Sequence, residues 1–117
     1  CEKTGAAIPA LEVTDTIKRV DADGHVAGTV DRAELRAVQT PQAFRARDLV
    51  AAYVAADTLG FVGTDTASTV ERFSGLRVRV VPGSPLNIKI TYPRDLPLTE
   101  RVLAGVMGPV GTSPAGE

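Results

Sequence analysis

The sequence predicts a mixed α/β chain, a sheet with helices on both faces and a β-hairpin set apart from it. Three observations carry that expectation. Short runs of period-two hydrophobicity take turns along the chain with segments of helical period. The order strand, hairpin, strand, helix, helix, strand, strand, helix suits helices layered on a sheet. The alternating stretch between Asp15 and Asp31 carries few apolar residues, which places it outside the core. At 117 residues the length suits one domain or part of one. Residues 1–107 are assigned to that domain, with 15–32 as the hairpin arm. Residues 108–117, rich in Gly, Pro and Ser, read as a flexible tail.

Each element has its local reason. Cys1 to Gly5 reads as the end of a helix stopped by glycine, and Ala6 to Leu11 as a strand. Thr16 to Val20 and His25 to Val30 alternate polar and apolar residues around Asp21-Ala22-Asp23-Gly24, which makes a hairpin. A lone hairpin is marginal in water, so a partner subunit is its expected support. Leu35 to Thr40 is a strand-length run ended by Pro41, since the residue before proline is held extended. Ala46 to Leu59 has helical period, with Leu49, Tyr53 and Ala56 on one face and Val50 and Val54 beside them. A second helix runs from Thr64 to about Phe73, with Thr64 as its cap and Asp65 in the first turn. Arg77–Val81 and Asn87–Thr91 read as strands. The last helix carries Leu98, Val102 and Val106, with Asp95 at or near its cap and Pro97 in its first turn, where proline is harmless.

Composition narrows the function classes. Thirteen Lys and Arg stand against fourteen Asp and Glu, a formal charge of −1, so the footprint of a general nucleic-acid binder is missing. No apolar run approaches the roughly 18 residues of a membrane helix. One cysteine excludes an internal disulfide, no Cys/His cluster has zinc spacing, and a reducing cytosol is the expected compartment. With five aromatics and no Trp, the core must be built from Val, Leu, Ile and Ala. There is no Walker loop, G-x-G-x-x-G, G-x-S-x-G or H-E-x-x-H. His25 reads as a solvated turn residue, which leaves nucleophilic catalysis without a candidate.

What remains is a set of Thr, Arg and Lys residues at element ends. Lys89, between Ile88 and Ile90, is either an edge-strand charge that discourages aggregation or a group facing a bound anion. Thr64 is either a helix cap alone or part of an anion site at a helix N-terminus. Arg32 is either a solvated arm residue or a clamp for phosphate. Together with Thr40, which precedes a proline, they describe an oxyanion-binding face.

Several co-linear segments then resemble one family. They are Asp15-Thr16-Ile17-Lys18-Arg19-Val20, Thr29-Val30-Asp31-Arg32, Leu35 to Phe44 with Gln39-Thr40-Pro41-Gln42, Thr64-Asp65-Thr66-Ala67-Ser68, and Gly83 to Thr91. From about Gly5 to Leu103 the chain resembles the C-terminal half of the 2-C-methyl-D-erythritol 4-phosphate cytidylyltransferases. The resemblance implies a Rossmann-like nucleotidyltransferase sheet and a homodimer interlocked through the β-arm. It implies transfer of a cytidylyl group from CTP to methylerythritol phosphate, with Mg²⁺ accompanying the nucleotide and pyrophosphate released. Carried over, Thr16 and Arg32 would hold the sugar phosphate in the partner subunit's site. Thr40 and Thr64 would line the pocket, Asp65 would bond the erythritol hydroxyls, and Lys89 would contact the phosphates. Arg32 and Lys89 are the expected catalytic cations.

The departures are also informative. The family's glycine-rich loop that cradles CTP is missing from these 117 residues, so the chain alone is expected to be inactive. Glu12, Thr66 and Pro97 depart from the family's usual residues in ways that look tolerable. Two other readings stand beside the enzymatic one. One is a half-domain that dimerises or binds a phosphorylated polyol without chemistry, and the other is a lipoprotein acylated at Cys1.

Overall fold

The computed structural model describes residues 2–107. In chain order its elements are β1 (Ala6–Glu12), β2 (Ile17–Val20), β3 (Val26–Val30), β4 (Arg36–Val38), β5 (Ala43–Phe44), α1 (Ala46–Thr58), α2 (Thr66–Phe73), β6 (Arg79–Pro82) and α3 (Leu96–Met107). The chain divides into two compact units between Asn87 and Ile88. Cys1 and the expected tail at 108–117 lie outside the described residues. Among the described residues, no helix is long and apolar enough to cross a membrane.

The first unit is organised on β1. Its alternate residues Ala6, Ile8 and Ala10 are buried, the period-two burial of a strand with one face on a core. β4 and β5 share one edge of β1, both antiparallel. Ala10–Glu12 face Val38–Arg36, and Ala6–Ala7 face Phe44–Ala43. β6 runs parallel along the other edge, from Ala7 opposite Arg79 to Ala10 opposite Pro82. The sheet is therefore mixed. Two-residue β5 escaped the sequence reading because it falls between Pro41 and a helix start. The peptide between Thr40 and Pro41 is cis, and it separates the two strands on that edge.

α1 and α2 pack on each other. Of the expected face of α1, Ala56 is buried and Leu49 half-buried, while Tyr53 and the flanking Val50 and Val54 are exposed; Ala52, outside that face, is buried. Small residues let two helices approach closely, and α2 offers Ala67 and Val70 from its own buried face. α1 thus buries its alanines, Ala52 and Ala56, rather than its bulkier residues. Phe61 meets Phe73 edge to face with centroids 5.2 Å apart, and Arg72 lies 4.7 Å above the Phe61 ring, which closes the open end of the helix pair.

The hairpin forms as expected and makes a two-stranded sheet of its own. Gly24 takes φ +85°, which only glycine adopts freely. The Asp21 carboxylate accepts the Asp23 and His25 amides at 3.0 and 2.8 Å. Every residue of β2 is exposed.

The second unit differs from the sequence reading. Asn87–Thr91 is not a strand. A strand must pair its backbone N–H and C=O groups, and no neighbouring strand pairs with these residues among those described. Lys89 therefore lies on irregular, exposed chain rather than mid-strand. Asp95 is a start signal, as expected. It closes a 3-10 turn, Pro93–Asp95, and its carboxylate accepts the Tyr92 and Thr91 amides at 2.8 and 3.0 Å. Those bonds, Tyr92's foremost, hold its pKa below the ordinary value. Pro97 falls in the first turn of α3, and the Thr99 hydroxyl donates to the Asp95 carbonyl at 2.9 Å.

Candidate functional site

The N-terminus of α2 is a densely bonded polar place, where Gln42, Asp65, Ala67 and Ser68 meet. Its cap is Asp65, not Thr64 as the sequence suggested. Asp65 is extended, and its Oδ1 accepts the Ser68 amide at 2.8 Å. The Ser68 hydroxyl lies 3.3 Å from the Asp65 amide and donates to the Asp65 carbonyl at 2.7 Å. Reciprocal bonding of this kind satisfies donors that a helix start leaves open. Asp65 wins over Thr64 because Ser68 stands three residues on, where the box needs it.

Gln42 completes the arrangement from the strand side. Its Oε1 accepts the Ala67 amide at 3.0 Å, and its Nε2 donates to Asp65 Oδ2 at 2.9 Å. Both halves of one amide are thus engaged by neighbours of opposite polarity. The Gln42 bond first, and those from Ser68 after it, hold the Asp65 carboxyl below its ordinary value of 3.8, against the opposing effect of partial burial. Asp65 is therefore ionised at neutral pH. Gly63 precedes the turn, where a Cβ would stand 2.7 Å from Thr69 Oγ1 and 3.0 Å from the Asp65 carbonyl.

Thr40 sits two residues before Gln42, exposed, at the gap between β4 and β5. Its carbonyl accepts Asn87 Nδ2 at 2.6 Å. Beside it, Gln39 Nε2 donates to the Ser84 and Asn87 carbonyls at 2.8 and 3.1 Å, and its Oε1 accepts the Ser84 amide at 3.1 Å. The site residues that sequence reading missed are these amides, Gln39, Gln42 and Asn87. The available signal was the interruption at Pro41, which leaves the Thr40 carbonyl to accept from the Asn87 side chain rather than from a neighbouring strand.

The remaining expected residues fall elsewhere. Thr16 and Arg32 stand at the base of the hairpin, Thr16 just before β2 and Arg32 just after β3. Arg32 Nη1 donates to the Thr14 carbonyl, so its guanidinium is tied to the arm's own base. A groove of about 460 Å³ opens there, lined by Glu12, Val13, Asp31, Arg32, Ala33 and Arg36. Lys89 belongs to the second unit. The structure thus joins Gln42, Asp65 and Ser68 in one bonded cluster, with Thr64 beside it in the chain, and puts Thr16 and Arg32 together at the arm.

Among the described residues no group of three or more His, Cys, Asp or Glu side chains is placed to hold a metal ion. Both Asp65 oxygens already accept hydrogen bonds. The described residues do not make a Mg²⁺ site.

Comparison with known proteins places this architecture. Residues 1–105 match the family described as IspD, 2-C-methyl-D-erythritol 4-phosphate cytidylyltransferase. The Bacillus velezensis enzyme of that name is 50% identical over 107 residues, covering 92% of this chain and 46% of the relative. The Rhodococcus jostii enzyme of that name is 54% identical over 98 residues, covering 84% and 42%. Among solved structures, the Thermus thermophilus cytidylyltransferase superposes with a TM-score of 0.74 at 36% identity, over 86% of this chain and 49% of that one. The 4-diphosphocytidyl-2C-methyl-D-erythritol synthase of Anaerococcus prevotii gives 0.77 at 35%, over 87% and 47%. The chain spans less than half the length of each of these relatives. With the family matched from residue 1 to residue 105 and the mixed α/β architecture shared, the chain belongs to the 2-C-methyl-D-erythritol 4-phosphate cytidylyltransferase family.

Proposed function

We propose that this chain supplies the sugar-phosphate side of a cytidylyltransferase that joins CTP to 2-C-methyl-D-erythritol 4-phosphate. A phosphate oxygen of the sugar attacks the α-phosphorus of CTP. The bond from that phosphorus to the oxygen bridging toward the β-phosphorus breaks, and pyrophosphate leaves. The observation that carries the reading is the family match across residues 1–105.

In this reading Thr40 and Thr64 line the polyol pocket and Asp65 accepts from the erythritol hydroxyls. An ionised carboxylate fixed at a helix start suits that task, since it is oriented before the ligand arrives. Lys89 contacts the phosphates, where negative charge accumulates as attack begins. Arg32 and Thr16 reach the site of a second copy through the arm, so the working form is a homodimer. The exposure of all of β2 and the compactness of the hairpin support that role. Mg²⁺ would enter on the nucleotide's phosphates. No glycine-rich phosphate cradle exists in these 117 residues, so the chain alone binds no CTP.

Pyrophosphate release from CTP and methylerythritol phosphate, measured on the complete gene product, tests the reading. Turnover is expected there and none from the 117-residue chain. Lys89→Ala in the complete product is expected to lower turnover about a hundredfold or more, the magnitude of removing one preorganised donor; a loss below threefold would remove Lys89 from the mechanism. An inactive complete product that still dimerises and binds the sugar phosphate would favour the non-catalytic half-domain.

A further inference from the structure

We propose that Gln42 is a positioning residue that sets affinity for the polyol by holding the Asp65 carboxylate and the Thr64–Asp65 step in one orientation. The proposal rests on the reading of Thr64 and Asp65 as polyol contacts given above.

The geometry argues it in three steps. First, the orientation of the Gln42 amide is decided by its neighbours. The Ala67 amide can only donate, so it must meet the oxygen, which leaves the nitrogen to donate to Asp65 at 2.9 Å. Second, Asp65 is already fixed at its other oxygen by Ser68 at 2.8 Å. A carboxylate pinned at both oxygens from different elements has no rotational freedom, whereas one pinned only by its own helix can swing about its terminal torsion. Third, Gln42 and Asp65 are 23 residues apart. The bond therefore ties the Thr40–Gln42 corner of the sheet edge to the head of α2. Thr40 and Thr64, the two expected pocket threonines, lie on the two segments so joined. The Gln42 oxygen, accepting from Ala67, makes a second tie to the same helix head, and without the pair each segment keeps its local structure and loses its registry with the other.

The test exchanges donor and acceptor in the complete gene product. Gln42→Glu keeps the shape and the acceptor for Ala67 but sets a carboxylate against Asp65. Like charges at this distance repel, and a charge-assisted bond is lost. The KM for methylerythritol phosphate is expected to rise about tenfold or more, with the KM for CTP unchanged within about twofold. A second variant, Gln42→Met, keeps the length of the side chain and removes both of its bonds to the head of α2 without adding a charge. It too is expected to raise the KM for methylerythritol phosphate severalfold and to leave the KM for CTP unchanged within about twofold. Two results would overturn the proposal: a polyol KM changed less than twofold by both variants, or a parallel loss for both substrates together with the melting temperature. If Gln42→Glu does not fold, Gln42→Met decides by the same two results; if neither folds, Gln42 is a folding residue and the proposal is overturned. An inactive wild-type product would instead remove the functional reading beneath it.

Discussion

The Thr40–Gln42 corner and the hairpin arm are both polar, both broken from the main run of the sheet, and held by opposite means. The arm is self-contained. Its turn is closed by Asp21 onto residues two and four positions away, and Lys18 donates to Thr29 directly across the ladder at 2.6 Å. The corner is held by bonds that span the fold, Gln42 to Asp65, Gln39 to Ser84 and Asn87, and Asn87 to Thr40. Local bonds let a segment form and open without the rest of the body. Long-range bonds make a place rigid only when the whole unit is folded. The difference suits the roles proposed for each, an arm that reaches another subunit and a corner that presents groups to a ligand.

Glycine replacements separate the two regimes, and the largest effect is expected at the corner. Gly63→Ala sets a Cβ 2.7 Å from the hydroxyl of Thr69, which is buried, and 3.0 Å from the Asp65 carbonyl. Neither is a free side-chain end, so the capping turn must shift. A loss of about 2 kcal/mol in urea unfolding is expected, within the range for overpacking. Gly83→Ala comes next. Its Cβ would collide with Gln39 Oε1 and stand 3.3 Å from the Ala10 amide. The Gln39 side chain can swing away, but only by surrendering its bonds to Ser84 and Asn87. Those bonds are exposed, so a loss of about 1 kcal/mol is expected. An unchanged midpoint for Gly63→Ala would mean that the α2 cap does not hold the corner.

The same contrast explains what could be read from the sequence. The hairpin was legible because its information is local, alternation on either side of Asp21–Gly24. β1, α1 and α3 were legible for the same reason, as was Asp95 near the start of the last helix. The cap of α2 was misplaced by one residue because Thr64 and Asp65 are both good caps, and only the reach of Ser68 chooses between them. The buried face of α1 was legible only in part: Ala56 was placed on it, but the pattern favours large residues, and Tyr53 is exposed where Ala52 is buried. Asn87–Thr91 has strand composition and no strand beside it among the described residues, a fact about the surroundings that composition does not carry. Gln39 and Gln42 were invisible as site residues. A glutamine's role depends on which backbone groups the fold leaves unpaired beside it.

Acid should weaken the corner through Asp65. The Asp65 pKa is depressed in the folded state, so its contribution to stability is complete above its ordinary value of 3.8 and is lost as pH falls through the lower folded value. Unfolding midpoints followed downward from about pH 5 are expected to decline below about pH 4 in part through this group. Asp65→Asn should flatten that portion of the curve while lowering stability at neutral pH, where the charged cap is gone. A wild-type curve with the same acid slope as Asp65→Asn would mean that the carboxylate is not held in the folded state.

The smallest effect is expected in the arm. Gly28 lies on β3 opposite Arg19, and a Cβ built there meets nothing within 4 Å. Its backbone is not in the left-handed region, so alanine is conformationally acceptable and restricts the unfolded chain more than glycine does. Gly28→Ala is therefore expected to protect the hairpin amides against hydrogen exchange by up to about half a kcal/mol. The global unfolding midpoint should not move, because an arm held by its own bonds can open without the body. The outcome sharpens the comparison in either direction. Protection confined to the hairpin identifies the arm as an independent opening unit. A loss of stability, or a shift of the global midpoint with the hairpin, would mean that something packs against the open face of Gly28. Under the proposed homodimer that surface is where the second copy would lie, so a loss seen only at concentrations where the complete product dimerises would locate the interface on this face of β3.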